Sequence, residues 1–298
     1  MMDQPTVEEI PCNLCGAQTT TPLYVKGGLA IAQCQQCQLV YANPRLTKDE
    51  IWKRYSPDYF WQEYMPAHHA PNGEYVAAFH QMRNRPMLTL LEPFKGNGRL
   101  LEVGCAAGFF LKVAADDGWE VQGLEIMEPA VAYAREILGL DMLSGTLENA
   151  SLPENSCAAV VLIETVEHLL NPAETLQEVY RILQPGGAIF IAVPNQNSIM
   201  HTLHGIDWSV LSPAEHLYYF TEETMNNMLQ KIGFCQVSFH WQLPNQPWHE
   251  LVSPYNTHNP NAWRSHLIRH GIQLSGRFVG PLAAKMKRTD RLMALAIK

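Results

Sequence analysis

From Arg99 onward, short apolar runs alternate with helical patterns, and this alternation restricts the fold more than any other feature of the chain. Leu100-Leu101-Glu102-Val103 reads as a strand, followed by a helix carrying Phe110, Leu111 and Ala114 that ends near Gly118. Glu120 to Ile126 is a second strand, and Pro129 to Leu138 a second helix closed by Gly139. Ala159 to Ile163 is a buried strand. Asn171-Pro172 then caps a helix in which Leu176, Val179, Tyr180 and Leu183 share one face. Pro185-Gly186-Gly187 ends that helix and turns into a strand from Ala188 to Val193. Thr221 caps a further helix with Met225, Met228, Leu229 and Ile232 on one face and Gly233 as its stop. Cys235 to Trp241 and Leu292 to Ile297 are the last strands. They bracket an insertion or lid, residues 243–289, with an amphipathic segment near Trp263 to Val279. Strands and helices in this order give an α/β, doubly wound, mostly parallel sheet with a C-terminal antiparallel strand pair.

A different signal precedes this region. Cys12-Asn13-Leu14-Cys15 and Cys34-Gln35-Gln36-Cys37 are two C-x-x-C pairs with 18 residues between them. Two thiolates on one tight turn reach a common ion at about 2.3 Å, so two such turns read as a four-ligand zinc site. Gly16 suits the chain reversal of the first knuckle. Leu23-Tyr24-Val25 and Leu29-Ala30-Ile31 flank Gly27-Gly28 as a short hairpin, which makes residues 1–45 a zinc ribbon. Four cysteine ligands close the site, so its Zn2+ is expected to be structural. Residues 46–92 form a helical, aromatic-rich cap or linker, and 93–298 the α/β domain. Tyr59, Phe60 and Tyr64 in the cap, with Tyr218 and Tyr219 later on, are candidates for a substrate wall as well as for ordinary inter-domain core.

With 47% hydrophobic and 17% charged residues, the 298-residue chain can bury a full core. Its net charge of −8 disfavours a nucleic-acid partner, which needs a basic surface. Lys285, Lys287, Arg288 and Arg291 read as a solvated turn. No apolar stretch follows Met1 and no run reaches membrane-helix length, so the expectation is a cytoplasmic protein without a membrane partner. Cys105, Cys157 and Cys235 stand alone in apolar surroundings, which fits a reducing compartment. The oligomeric state is left open.

The loop Glu102-Val103-Gly104-Cys105-Ala106-Ala107-Gly108 sits where the first strand turns into the first helix. Glycines there let the backbone approach a ligand over the carboxyl end of the sheet. A dinucleotide fingerprint needs glycine at three set positions, but the chain has Gly104, Ala106 and Phe109, and Phe109 would crowd a pyrophosphate. Glu125 ends the second strand 21 residues after Gly104, where a carboxylate can accept both hydroxyls of a ribose. These residues describe a nucleoside site with no phosphate grip.

Leu100 to Leu111 resembles motif I of class I S-adenosyl-L-methionine (SAM)-dependent methyltransferases. Val160 to Pro172, then Arg181 to Gly187 and the strand ending at Pro194, resemble their later motifs. The resemblance runs from about Gly98 to Phe239. It is similar to the branch that includes ubiquinone-biosynthesis O-methyltransferases. The four-cysteine module is similar to that of bacterial deoxysugar C-methyltransferases and natural-product methyltransferases. The resemblance implies a Rossmann-like, seven-stranded sheet and SAM as cofactor. Glu102 and the loop Gly104, Cys105, Ala106 and Gly108 would then hold the methionine end. Glu125 would bind ribose, with Ile126 against adenine. Thr146 and Leu147 would border the adenine edge, and Ile163 and Glu164 would face the cofactor. The family usually has glycine at Ala106 and an aspartate at Ala158.

Methyl transfer from a sulfonium is an in-line displacement, so alignment and a dry pocket carry most of it. A hydroxyl or acidic-carbon acceptor also profits from a base. Glu167-His168 and Glu215-His216 both follow strand ends on the ligand side of such a sheet, making His216, His168 and Glu215 the catalytic candidates. The adjoining carboxylates also allow a metal role for either histidine. The expected reaction is methylation of a small molecule or glycan intermediate at O, C or N. The alternatives are RNA or protein methylation with the ribbon as recognition module, and a non-catalytic SAM-binding interaction protein.

Overall fold

The computed structural model describes residues 5–68, 70, 72–243 and 279–298. The N-terminal part contains β1 (Val7–Glu8), β2 (Thr20–Lys26), β3 (Leu29–Cys34), β4 (Val40–Ala42) and β5 (Arg45–Leu46). Gly27 and Gly28 turn β2 into β3 with φ of 59° and 80°, a reversal that glycine makes without strain. The cap follows as α1 (Lys48–Trp52), a π-helical turn over Tyr59–Tyr64, α2 (Met65–Ala67) and α3 (Ala77–Thr89).

The α/β domain then runs β6 (Arg99–Val103), α4 (Phe109–Asp116), β7 (Val121–Glu125), α5 (Glu128–Glu136), β8 (Met142–Ser144), β9 (Cys157–Ile163), α6 (Pro172–Ile182) and β10 (Leu183–Pro194). It continues with α7 (Ile199–His204), β11 (Tyr218–Tyr219), α8 (Glu222–Ile232), β12 (Cys235–His240) and β13 (Arg291–Ile297). Seven strands form one sheet in the order β12-β13-β10-β9-β6-β7-β8. The pairs from β10 to β8 are parallel, whereas β13 runs antiparallel to both β10 and β12. The expected fold class therefore holds. The central strand β9 is an unbroken apolar run because helices cover both faces of the sheet.

The helix stops and starts follow local chemistry. Thr221 and Thr224 exchange hydrogen bonds between side chain and backbone at 3.2 and 2.9 Å, a capping box that starts α8. Gly233, at φ 122°, ends it. The start of α6 departs from expectation. The Asn171 side chain does not cap the helix; its Nδ2 donates to Glu174 Oε2 at 3.2 Å. The amide of Ala173 instead donates to Asn13 Oδ1 at 2.8 Å, so the first knuckle caps α6 from outside. The expected amphipathic segment 263–279 falls, apart from Val279, outside the described residues.

Two large cores flank the sheet. One joins Cys12, Leu14, Leu39 and Tyr41 to Leu101, Leu176, Val179 and Met225, so the cysteine module and the α/β domain share buried surface. The other packs Phe60, Met65 and Leu88 of the cap onto Phe109, Phe110 and Tyr133. The two parts are also joined by backbone. Strand β11 pairs with β4, so the N-terminal sheet, in the order β11-β4-β3-β2, takes its edge strand from the α/β domain.

Candidate active site

Motif I is shaped by close approach. Gly104 has φ 70°, and a Cβ there would lie 2.6 Å from Thr165 Cγ2, so only glycine lets the β6 turn sit against the end of β9. Gly108 has φ 75°, and its Cβ would meet Leu140 at 2.6 Å. Ala106 also has positive φ, 46°, which costs a non-glycine residue about 1 kcal/mol. That conformation aims its amide at Glu125 Oε2, 2.8 Å away. The other oxygen of Glu125 accepts the amides of Ile126 and Met127 at 2.8 and 2.9 Å. Burial pushes the Glu125 carboxyl up, and these three amides oppose the shift. One of its lone-pair sites, on Oε2, remains for a ribose hydroxyl.

Glu102 lies behind this loop, buried, and its Oε2 has no hydrogen-bond partner. Burial and the nearby Glu125 push its carboxyl well above the ordinary range. An unpartnered buried carboxylate beside a glycine cradle fits a ligand that brings a positive charge, as the ammonium and sulfonium of SAM do. Ile126 is half-buried at the end of β7, Leu147 is in the core, and Thr146 begins the turn after β8. At the end of β9, Ile163 is half-buried, while Glu164 has φ 51° and accepts from Arg291 Nε at 2.8 Å. Cys105 is buried against Met142, packing the loop rather than facing it.

Side chains of the helical stretch before β6 pack beside the same loop. Tyr64 stacks on His68 at 4.0 Å between ring centroids, and its hydroxyl meets the Ala107 backbone. Tyr55, in the same aromatic-rich stretch, is held protonated chiefly by burial and then by the nearby Glu125. Tyr59 lies under the Arg54 guanidinium, whose Nη2 pairs with Glu215 at 2.9 Å. Of the candidate wall residues, Phe60, Tyr218 and Tyr219 are 0%, 1% and 3% exposed and belong to the packed cores. Aromatic density alone could not separate them from Tyr59 and Tyr64.

Past the ends of β9 and β10, three further groups converge. The His168 and His216 rings meet edge-on at 4.6 Å. His168 Nδ1 donates to the Glu215 carbonyl at 2.9 Å, and His216 Nδ1 donates to the Val210 carbonyl at 2.8 Å. Each neutral ring therefore carries its lone pair on Nε2. One ligand atom from each of Glu167, His168 and His216 lies within 4.8 Å of the others, a set that could hold a divalent cation. Glu167 is buried, and neither oxygen accepts a hydrogen bond. Burial and Glu164 push its carboxyl well up. Burial lowers His168 to about 3 and His216 to about 4, so both rings are uncharged near neutral pH. The sequence named all three residues but could not place 168 against 216, because that contact spans two loops.

The four cysteines also come together. Cys12 and Cys37 sulfurs are 3.4 Å apart and Cys15 and Cys34 sulfurs 3.5 Å, slightly inside the edge of about 3.8 Å that a tetrahedron with Zn–S of about 2.3 Å requires. Gly16 and Gln38, each directly after a knuckle, both have positive φ, 81° and 64°. Burial raises Cys12 to about 11, whereas at Cys34 the amides of Gln36 and Cys37 outweigh burial and bring the thiol down to about 7.

A seven-stranded sheet with β13 inserted antiparallel, a glycine cradle after its first strand and an acid ending its second together define a class I SAM-dependent methyltransferase. Residues 75–238, more than half of the chain, match the model of the methyltransferase domain family, and the chain belongs to that family. It is 35% identical over 98 residues to a probable S-adenosylmethionine-dependent methyltransferase of Mycolicibacterium smegmatis, an alignment covering 33% of this chain and 38% of that one. It is 26% identical over 173 residues to the ubiquinone biosynthesis O-methyltransferase of Roseobacter denitrificans, covering 51% and 69% respectively. A SAM-dependent methyltransferase from Archaeoglobus fulgidus superposes with a TM-score of 0.53 at 21% identity, over 74% of this chain and 94% of that one. Among the described residues no helix is long and apolar enough to cross a membrane.

One prediction follows from the cradle. If Glu125 holds the ribose diol, Glu125→Ala weakens SAM binding by about 1.5–3 kcal/mol, the range for hydrogen bonds to a charged group. Calorimetric titration of SAM checks it, and an unchanged affinity moves the cofactor elsewhere.

Proposed function

We propose that this enzyme methylates a small-molecule acceptor, with His216 as the base or orienting group and SAM lying across Gly104, Gly108 and Glu125. The pairing of two uncharged imidazoles with their Nδ1 atoms pinned by carbonyls carries the proposal. That pinning leaves Nε2 of each as an acceptor beside the strand ends where the cradle opens. SAM supplies an activated methyl group on a sulfonium sulfur. Glu102 and Glu125 offset the positive charge of the bound molecule. The cap residues Tyr55, Tyr59 and Tyr64 exclude water from above. The proton that the acceptor loses passes to His216 Nε2 and then to solvent, so the site never gathers net negative charge. Glu215 acts through its carbonyl on His168 and through Arg54, which ties the cap to this loop.

A small acceptor is favoured over RNA by the net charge of −8, which offers no footprint for a phosphate backbone. The names of the ubiquinone biosynthesis O-methyltransferase relatives support a hydroxyl acceptor. The four thiols are assigned a structural zinc. The experiment is transfer of a labelled methyl from SAM to a panel of phenols, sugars and amines, with SAM binding measured alongside. Methyl transfer to a panel member supports the proposal. SAM binding without transfer to any acceptor favours the interaction-protein reading.

A second reading rests on Glu167. A buried carboxylate with two idle oxygens beside two Nε2 lone pairs is also a cation site, which would orient an acceptor hydroxyl. Turnover that a chelator abolishes and a divalent ion restores, with the zinc content of the thiols unchanged, selects this reading.

A further inference from the structure

We propose that the cysteine module positions the two histidine loops, with Asn13 and Arg45 as the positioning residues. The proposal rests on the assignment of His168 and His216 to the acceptor side. Asn13 stands inside the first knuckle, between Cys12 and Cys15, and its Oδ1 accepts the Ala173 amide at 2.8 Å. That amide belongs to the first turn of α6, which starts four residues after His168. Next to Asn13, the Leu14 carbonyl accepts from Lys231 Nζ at 2.6 Å, near the end of α8. The knuckle is thus fixed to two helices at once.

Arg45 holds the other side. It is 6% exposed, and its Nη1 donates to the Leu170 carbonyl at 2.6 Å and to Tyr218 Oη at 3.4 Å. Leu170 follows His168 by two residues, and Tyr218 follows His216 by two. The Tyr218 hydroxyl donates to the same Leu170 carbonyl at 3.0 Å, so one guanidinium and one phenol clamp both loops at one point. Its Nε is anchored by Glu8 at 2.9 Å. The backbone repeats the connection: Ala42 donates to the Leu217 carbonyl at 2.9 Å, and Leu217 donates to the Glu167 carbonyl at 2.7 Å. A continuous chain of hydrogen bonds therefore runs from β4 to the loop of His168. None of these contacts reaches Gly104, Gly108 or Glu125, so the module acts on the acceptor side and leaves the cofactor cradle alone.

The consequence is that metal occupancy of the thiols sets the order of the histidine pair. The test is the rate at which diethylpyrocarbonate modifies His168 and His216, mapped by mass spectrometry with His240 as internal reference. Asn13→Ala is expected to raise both rates about fivefold, the factor given by losing one helix cap. Asn13→Asp, which keeps an acceptor oxygen, should restore them. Arg45→Ala should raise them further, and Cys34→Ser, which removes a thiol ligand without touching the histidine cluster, should act in the same direction. SAM affinity stays within about twofold in every variant that folds, because the cradle is untouched. Unchanged rates in Asn13→Ala and after metal loss overturn the inference, as does failure of Asn13→Asp to restore them. If the rates respond while His216→Ala keeps full turnover, the positioning stands and the base assignment falls. If His216→Ala is inactive and the rates do not respond, the reverse holds.

Discussion

His216→Ala is expected to lower kcat by about 10²–10⁴-fold while SAM affinity stays near that of the unaltered enzyme. The size follows from what a positioned base contributes, and the selectivity from geometry. His216 lies on the loop before β11, bonded to Val210 and edge-on to His168, whereas the cofactor cradle is built from the ends of β6 and β7. Turnover on an accepted substrate and calorimetric SAM binding measure the two effects separately. The pH profile adds a signature. Because burial lowers His216 to about 4, the acid limb of kcat falls well below the 6.5 of an ordinary imidazole. Stability shifts in the matching direction. The unfolded chain takes up protons first as pH falls below 6.5, so the contribution of the buried neutral ring is lost between 6.5 and about 4. Near-full turnover in His216→Ala would make the residue structural and leave the acceptor needing only alignment.

Cys34→Ser is expected to have the largest effect on stability. Three thiols cannot close a tetrahedral site, and binding energy in such a module is folding energy. Metal content should fall well below one zinc per chain. The melting temperature should drop by roughly 10 °C, reflecting several kcal/mol in a domain of this size. The loss would not stay within the ribbon. Cys34 is fully buried in the core that also holds Leu101, Leu176 and Tyr218, and β11 depends on β4 for its pairing. Elemental analysis and a thermal melt check both parts. Full stability without metal would turn the knuckles into an ordinary thiol cluster.

Much of this was legible in the sequence because it rests on local rules. The alternation from Arg99 onward fixed the strands and helices, since each βα unit carries its own period and its own glycine or proline stop. Gly104 and Glu125 were readable as a pair because their spacing spans one such unit. The cysteine pattern was readable because each knuckle is a single turn. The cap of α6 was not: Asn171 has the right chemistry at the right place, yet Asn13, far away in sequence, takes the amide. The aromatic residues failed for the same reason. Nothing local distinguishes Phe60, which is core, from Tyr64, which stacks on it at 5.8 Å and meets the Ala107 backbone. The clamp at Arg45 and the contact of His168 with His216 are products of chain crossing, and no motif announces them.

The most direct test of the whole account is a crystal structure with S-adenosylhomocysteine, the demethylated product. The ribose hydroxyls should lie on Glu125, the amino group toward Glu102, and the sulfur facing the gap beside His168 and His216. Product bound with its sulfur turned away from the histidine pair, or held at residues other than Gly104, Gly108 and Glu125, would contradict it.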